Sequence, residues 1–228
     1  MAESIAIPER FNGPPGSANG GYTCGLVAGL VGQGPAEVTL RSPPPLERDL
    51  TVERDGDAVR VLDGVLLVAE GRPVELELDP PEPVGIEEAV AASHAGEPRW
   101  SGHHPFPTCV VCGPQRGLGD GFRMFPGELR DGMFAAVWTP DSAAAEQTWA
   151  ALDCPTSAPV VSFGAGAPCV LARLTARIDS PPEPGRRHVV LSWPLEVDGR
   201  KRHAAAALFS EDGAVLAMSR ALWIELRG

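Results

Sequence analysis

The sequence predicts an α+β fold of two tandem units, and three observations carry that prediction. First, a helix-like stretch followed by strand-like runs occurs twice along the chain. Second, segments of the two halves mirror one another: "RSPPPLE" against "DSPPEPG", and "LDGVLLVAEGRPVELEL" against "SEDGAVLAMSRALWIEL". Third, a proline- and glycine-rich stretch, Asp79 to Thr108, stands between them and reads as a linker. A lone helix with four or five antiparallel strands packs in one sensible way, with the sheet curled around the helix. Two such units can join their sheets edge to edge, which also protects strand edges. The expectation is therefore two units, 1–78 and 109–228, each a long helix wrapped by a curved antiparallel sheet. A linker over 79–108 joins them as a pseudo-dimer.

In chain order, Ser17 to Val31 reads as the first helix, entered through "FNGPPGSANGG". The paired Gly20 and Gly21 at its start are unexpected, because glycine disfavours helical backbone by about 1 kcal/mol relative to alanine. Strand-like runs follow: "AEVTLRS", "LTVERDG", "AVRVLDGVLLVAEG" and "PVELELD". The linker has room for one short helix around Ile86 to Ser93. In the second half "FAAVWT" reads as a strand and "SAAAEQTWAALD" as a helix, with Ser142 or Asp141 as its N-cap. Four more strand-like runs complete it: "VLARLTARIDS", "RHVVLSWPLEVDG", "RKRHAAAALFSEDG" and "AVLAMSRALWIEL".

Composition narrows the function classes. The 228 residues are 43% hydrophobic, enough to bury a real core. A net charge of −11 argues against nucleic acid or an anionic membrane surface as partner. No apolar run approaches the roughly 20 residues needed to span a bilayer, and "MAESIAIPERF" lacks the plan of a secretory signal. Five cysteines, an odd number, fit a reducing interior better than a disulfide framework. The expectation is a soluble cytoplasmic protein.

The residues around the first helix resemble the hotdog-fold superfamily, in particular its acyl-CoA thioesterases. Such enzymes often carry Asn-x3-Gly-x2-His-Gly-Gly leading into the central helix, with an acid nine positions after the histidine. Asn12, Gly16, Asn19, Gly20 and Gly21 match that spacing, with asparagine in place of histidine. The acid position falls on Ala28, so this half lacks it. In the second half "WAALDCP" resembles the acid-bearing part, with Asp153 at the acid position and Ala144 nine residues before it. "CVVCGPQRGLGDGFRMF", Cys109 to Phe125, resembles the stretch that introduces the first strand of many hotdog domains. The resemblance implies a composite site, with the glycine pair of one half facing the acid of the other.

The chemistry that follows is thioester hydrolysis. A helix N-terminus presents unpaired N–H groups and partial positive charge, and glycine lets an acyl carbonyl approach them. Gly20 and Gly21 therefore suit an oxyanion hole, where one donor is worth roughly 3–4 kcal/mol of barrier. The plainer role for them is to ease tight packing of the helix. Asn19 suits positioning of the thioester or a water. Asp153, near a helix C-terminus among apolar neighbours, suits a general base or nucleophile. Thr156 and Ser157 lie in reach of it, either as simple hydrogen-bond partners or as groups that orient it.

Two clusters remain. His103, His104, Cys109 and Cys112 supply enough ligands for a tetrahedral zinc. A single Cys-x2-Cys is a weak signal, however, and the resemblance explains it as a turn, so no metal is assigned. Cys24, Cys154 and Cys169 read as small core hydrophobes. The basic runs "GRRH" and "GRKRH" place Arg186, Arg187, Arg200, Lys201 and Arg202 as candidates for the phosphates of coenzyme A. The bland alternative is charge at solvated hairpin turns. The functional expectation is an acyl-CoA thioesterase-like hydrolase that takes coenzyme A as part of its substrate, uses no separate cofactor and forms a homo-oligomer. The alternatives are a non-catalytic acyl-binding protein on the same scaffold, or a hydratase or dehydratase.

Overall fold

A computed structural model describes residues 3–102, 104–162 and 168–227, and within them eleven strands form one antiparallel sheet. The first half supplies β1 (Ser4–Ile5), α1 (Gly20–Val31), β2 (Ala36–Leu40), β3 (Leu50–Asp55), β4 (Ala58–Asp63) and β5 (Leu66–Pro73). After α2 (Ile86–Gly102) come β6 (Gly127–Glu128), β7 (Phe134–Trp138), α3 (Ala145–Asp153), β8 (Cys169–Ile178), β9 (His188–Asp198), β10 (Lys201–Phe209) and β11 (Val215–Glu225).

The strand order is β1-β3-β4-β5-β2-β8-β11-β10-β9-β7-β6. Counted from the strand before each helix, the first half runs β1-β3-β4-β5-β2 and the second β7-β9-β10-β11-β8. The same order thus occurs twice. The halves meet where β2 pairs with β8, from Ala36 opposite Ala176 to Thr39 opposite Arg173. That pairing makes the sheet continuous and hides two strand edges that would otherwise be open.

The alternation of side chains along each strand explains which face meets what. On β9 and β10, Val190, Ala204, Ala206 and Leu208 join the core around α1 and α3. Their neighbours Val189, Leu191, Ala207 and Phe209 point the other way and pack with Ile86, Ala89 and Ala92 of α2. A strand covered on both faces reads as a continuous apolar run, which is why "AAAALF" shows no alternation. In β3 only Leu50 and Val52 are buried, because its outer face meets solvent.

Four expectations change. The run "AVRVLDGVLLVAEG" is two strands, β4 and β5, because Gly64 takes a positive φ of 61° and turns the chain back so that Asp63 pairs with Leu66. The linker holds a 17-residue helix rather than a short one, and it is a packed element. Gly96 permits this: a Cβ there would stand 2.7 Å from Gly127 Cα. Buried Trp100 then donates its indole N–H to Pro126 O at 2.9 Å. "PVELELD" is not a strand. β2 begins at Ala36, opposite Pro73, so the chain beyond Pro73 has no ladder to join, and Arg177 and Arg220 donate instead to the carbonyls of Leu76 and Glu77. Finally, α3 begins after Ala144 with no side-chain cap. Ser142 Oγ accepts from the Ala144 N–H, one turn too early to cap it.

Candidate active site at the crossing of two helices

The paired glycines are explained by how closely α3 approaches α1. A Cβ on Gly21 would lie 2.3 Å from Asp153 Cβ and 2.8 Å from Trp149 O. One turn on, a Cβ on Gly25 would lie 2.5 Å from Glu146 Cα. These two glycines share one face of α1 at spacing i, i+4, and that face is where α3 crosses. Gly20 faces the sheet instead, where its Cβ would meet the Leu171 and Leu40 side chains at 2.9 and 3.2 Å.

Asp153, the last residue of α3, is 2% exposed. Its Oδ2 accepts the Gly21 backbone N–H at 2.8 Å and the Asn19 side-chain amide at 3.2 Å. Asn19 is also the N-cap of α1, its Oδ1 accepting the Tyr22 N–H at 2.8 Å. One side chain thus caps a helix of the first half and holds a carboxylate of the second. Oδ1 of Asp153 is buried with no partner among the described residues. Burial pushes the carboxyl up to about 7; the Gly21 and Asn19 hydrogen bonds pull down against it, and the Cys109 sulfur adds to the rise.

A cavity of about 830 Å³ opens beside this pair and is lined by Asn19, Gly20 and Asp153 among others. Most of its wall is apolar, with Leu40, Trp100, Phe106, Val161, Leu171 and Trp223 contributing. Its size and lining suit an acyl chain or another apolar group.

The other sequence candidates fall out as follows. The Gly21 amide is spent on Asp153, so only Gly20 has an N–H with no acceptor among the described residues. Thr156 and Ser157 do not touch the Asp153 carboxylate. They donate to the carbonyls of Asp153 and Cys154, at 2.6 and 2.7 Å, within a 3₁₀ turn over Cys154–Ser157. Thr156 also accepts the Trp223 indole N–H at 2.8 Å, tying that turn to the sheet. The five basic residues split into two groups at opposite ends of β9. Arg186 pairs with Glu183 and Arg187 with Glu87, while Arg200 and Arg202 engage the carbonyl and carboxylate of Glu225. None of the five lines the cavity, and one coenzyme A headgroup cannot meet both groups.

Cys154 is a residue that sequence reasoning missed. Read as core filling, it is indeed buried in the core, but nothing local in the sequence shows that its Sγ lies 3.7 Å from Cys109 Sγ. His103 lies outside the described residues.

No family model and no curated protein matches this chain. Solved structures do. A conserved protein with a hot dog fold from Alicyclobacillus acidocaldarius superposes with a TM-score of 0.62 at 11% identity, covering 99% of this chain and 92% of that one. The tesB protein of Mycobacterium avium subsp. paratuberculosis gives 0.59 at 12% identity, covering 97% and 91%. Acyl-CoA thioesterase II from Mycobacterium marinum gives 0.59 at 11%, covering 93% and 90%. At these identities the likeness establishes the hotdog fold over nearly the whole chain.

Proposed function

We propose that this hotdog-fold chain is a fused pseudo-dimer that hydrolyses acyl thioesters at one site shared by its halves. The observation that carries the reading is the buried Asp153 carboxylate on the wall of an apolar cavity, with Oδ2 anchored by two donors from the first half and Oδ1 without a partner among the described residues. A carboxylate tethered by one oxygen keeps the other aimed, which is what a base or nucleophile needs. The Gly20 N–H, at the positive end of α1, is the donor for the oxygen that gains charge as the carbonyl becomes tetrahedral. Oδ1 takes a proton from water, the hydroxide adds to the carbonyl, and the thiolate leaves with that proton. Asn19 acts through Asp153, as a positioning residue. Of the basic residues, Arg202 lies beside Cys169, which is on the cavity wall. With Arg200 and Lys201 it forms the group suited to a coenzyme A phosphate.

The test is thiol release from short- and long-chain acyl-coenzyme A, wild type against Asp153→Asn. Turnover lost in the variant with acyl-coenzyme A binding retained supports the hydrolase. Binding without turnover in the wild type would favour an acyl-binding protein, a reading to which the capture of the Gly21 amide by Asp153 lends some weight. A hydratase would change enoyl absorbance without releasing thiol.

A further inference from the structure

The proposed reaction uses none of the five buried cysteine sulfurs, and three of them come together from distant parts of the sequence. Cys109, Cys112 and Cys154 have Sγ atoms within 4.8 Å of one another, Cys109 and Cys154 being 3.7 Å apart. A tetrahedral zinc with Zn–S bonds of about 2.3 Å sets its sulfurs about 3.8 Å apart. We propose that Cys109, Cys112 and Cys154 bind one zinc ion, whose fourth coordination position opens on the cavity that all three cysteines line.

The backbone around the sulfurs is built to present them. Gly113 donates its N–H to Cys109 O at 2.8 Å, and a Cβ there would stand 2.5 Å from that same oxygen. Only glycine closes so tight a turn, and the turn sets both sulfurs of Cys-x2-Cys toward Cys154. Two flanking bonds, Phe122 N–H to Val110 O at 2.7 Å and Met124 N–H to Val111 O at 2.9 Å, hold the turn against the following strand-like segment. Val110 in turn donates to Asn12 O at 2.9 Å, docking the turn on the entrance to α1. The Asn19 amide nitrogen lies 3.8 Å from Cys109 Sγ and 3.7 Å from Cys154 Sγ, supplying an N–H of the kind that supports metal thiolates.

His104 belongs outside the coordination sphere. Its Nδ1 accepts the Phe106 N–H at 2.9 Å, so Nε2 carries the proton and donates to Cys112 Sγ, 3.2 Å away. A metal on Nε2 would require a proton on Nδ1, facing the Phe106 N–H. Zinc binding displaces the thiol protons to solvent and forms three Zn–S bonds with no change of oxidation state.

The inference is independent of the hydrolase reading, because metal content and turnover are measured separately. Full-length protein purified under reducing conditions should carry about one zinc per chain, released by a thiol-modifying mercurial. Exchange with cobalt should give sulfur-to-metal charge transfer and the visible bands of a tetrahedral site. Cys109→Ser and Cys154→Ser should lose the ion, whereas Cys169→Ser and His104→Gln should keep it. Wild-type protein that is metal-free and takes up neither zinc nor cobalt would overturn the proposal, and so would a Cys109–Cys154 disulfide in that protein. Loss of the ion in His104→Gln would overturn the open fourth position. The wild-type measurements stand even if a cysteine variant fails to fold.

Discussion

The two halves share a strand order but bring different ends of their helices to the crossing. α1 offers its N-terminus, capped by Asn19 and rich in glycine on the face that meets α3. α3 is shorter, lacks a side-chain cap and offers its C-terminus, where Asp153 sits. Each helix therefore lacks what the other supplies. A carboxylate at the C-terminus of its own helix is disfavoured by that helix's dipole, but Asp153 lies against the positive end of α1. On the proposed reading, such a division of labour lets each half lose part of a motif while the pair keeps a single set.

Substitutions can break or sharpen this contrast. Asp153→Asn should lower thioester turnover about a thousandfold, roughly 4 kcal/mol of barrier. Its thermal midpoint should stay level or rise, because a neutral amide oxygen still accepts from Gly21 while the cost of burying a carboxylate is removed. A fall in stability with turnover intact would mean that Asp153 only holds the helices together. Gly21→Ala or Gly25→Ala should cost about 3 kcal/mol in denaturant unfolding, since the new methyl meets α3 backbone rather than a movable side-chain tip. Asn19→Ala should lose a cap worth about 1 kcal/mol, and Asn19→Ser should recover it. Both should turn over slowly, because neither has an amide for Asp153; a fully active serine variant would refute the positioning role. Gly29→Ala is the smallest change. No atom of the described residues lies within 4 Å of a Cβ there, so about 1 kcal/mol of stability should be gained through helix propensity alone.

What was legible in the sequence follows from how local each signal is. The strands of the second half were readable as apolar runs because such signals span a few residues, whereas the turn at Gly64 that divides "AVRVLDGVLLVAEG" into β4 and β5 was read through as one strand. The pairing of Asn19 and Gly21 with Asp153 was accessible only through the spacing of a known motif, since 132 residues separate Gly21 from its partner. The length of α2 was hidden because Gly96 and Pro98 argue for a break. Both are tolerated, Gly96 because a neighbouring backbone presses on it. Cys154 looked like core because a buried thiol and a hydrophobe read alike in one dimension. Only the fold brings it to the turn at Cys109.

The β2–β8 seam and the Asn19–Asp153 contact both span the junction between the halves, and they act in concert. If the halves parted, the carboxylate would lose both of its anchors and α1 would lose the neighbour its glycines were shaped to receive. If the proposed reaction is right, assembly and chemical competence are one event: a molecule whose two parts have not closed on each other has no anchored carboxylate to misuse.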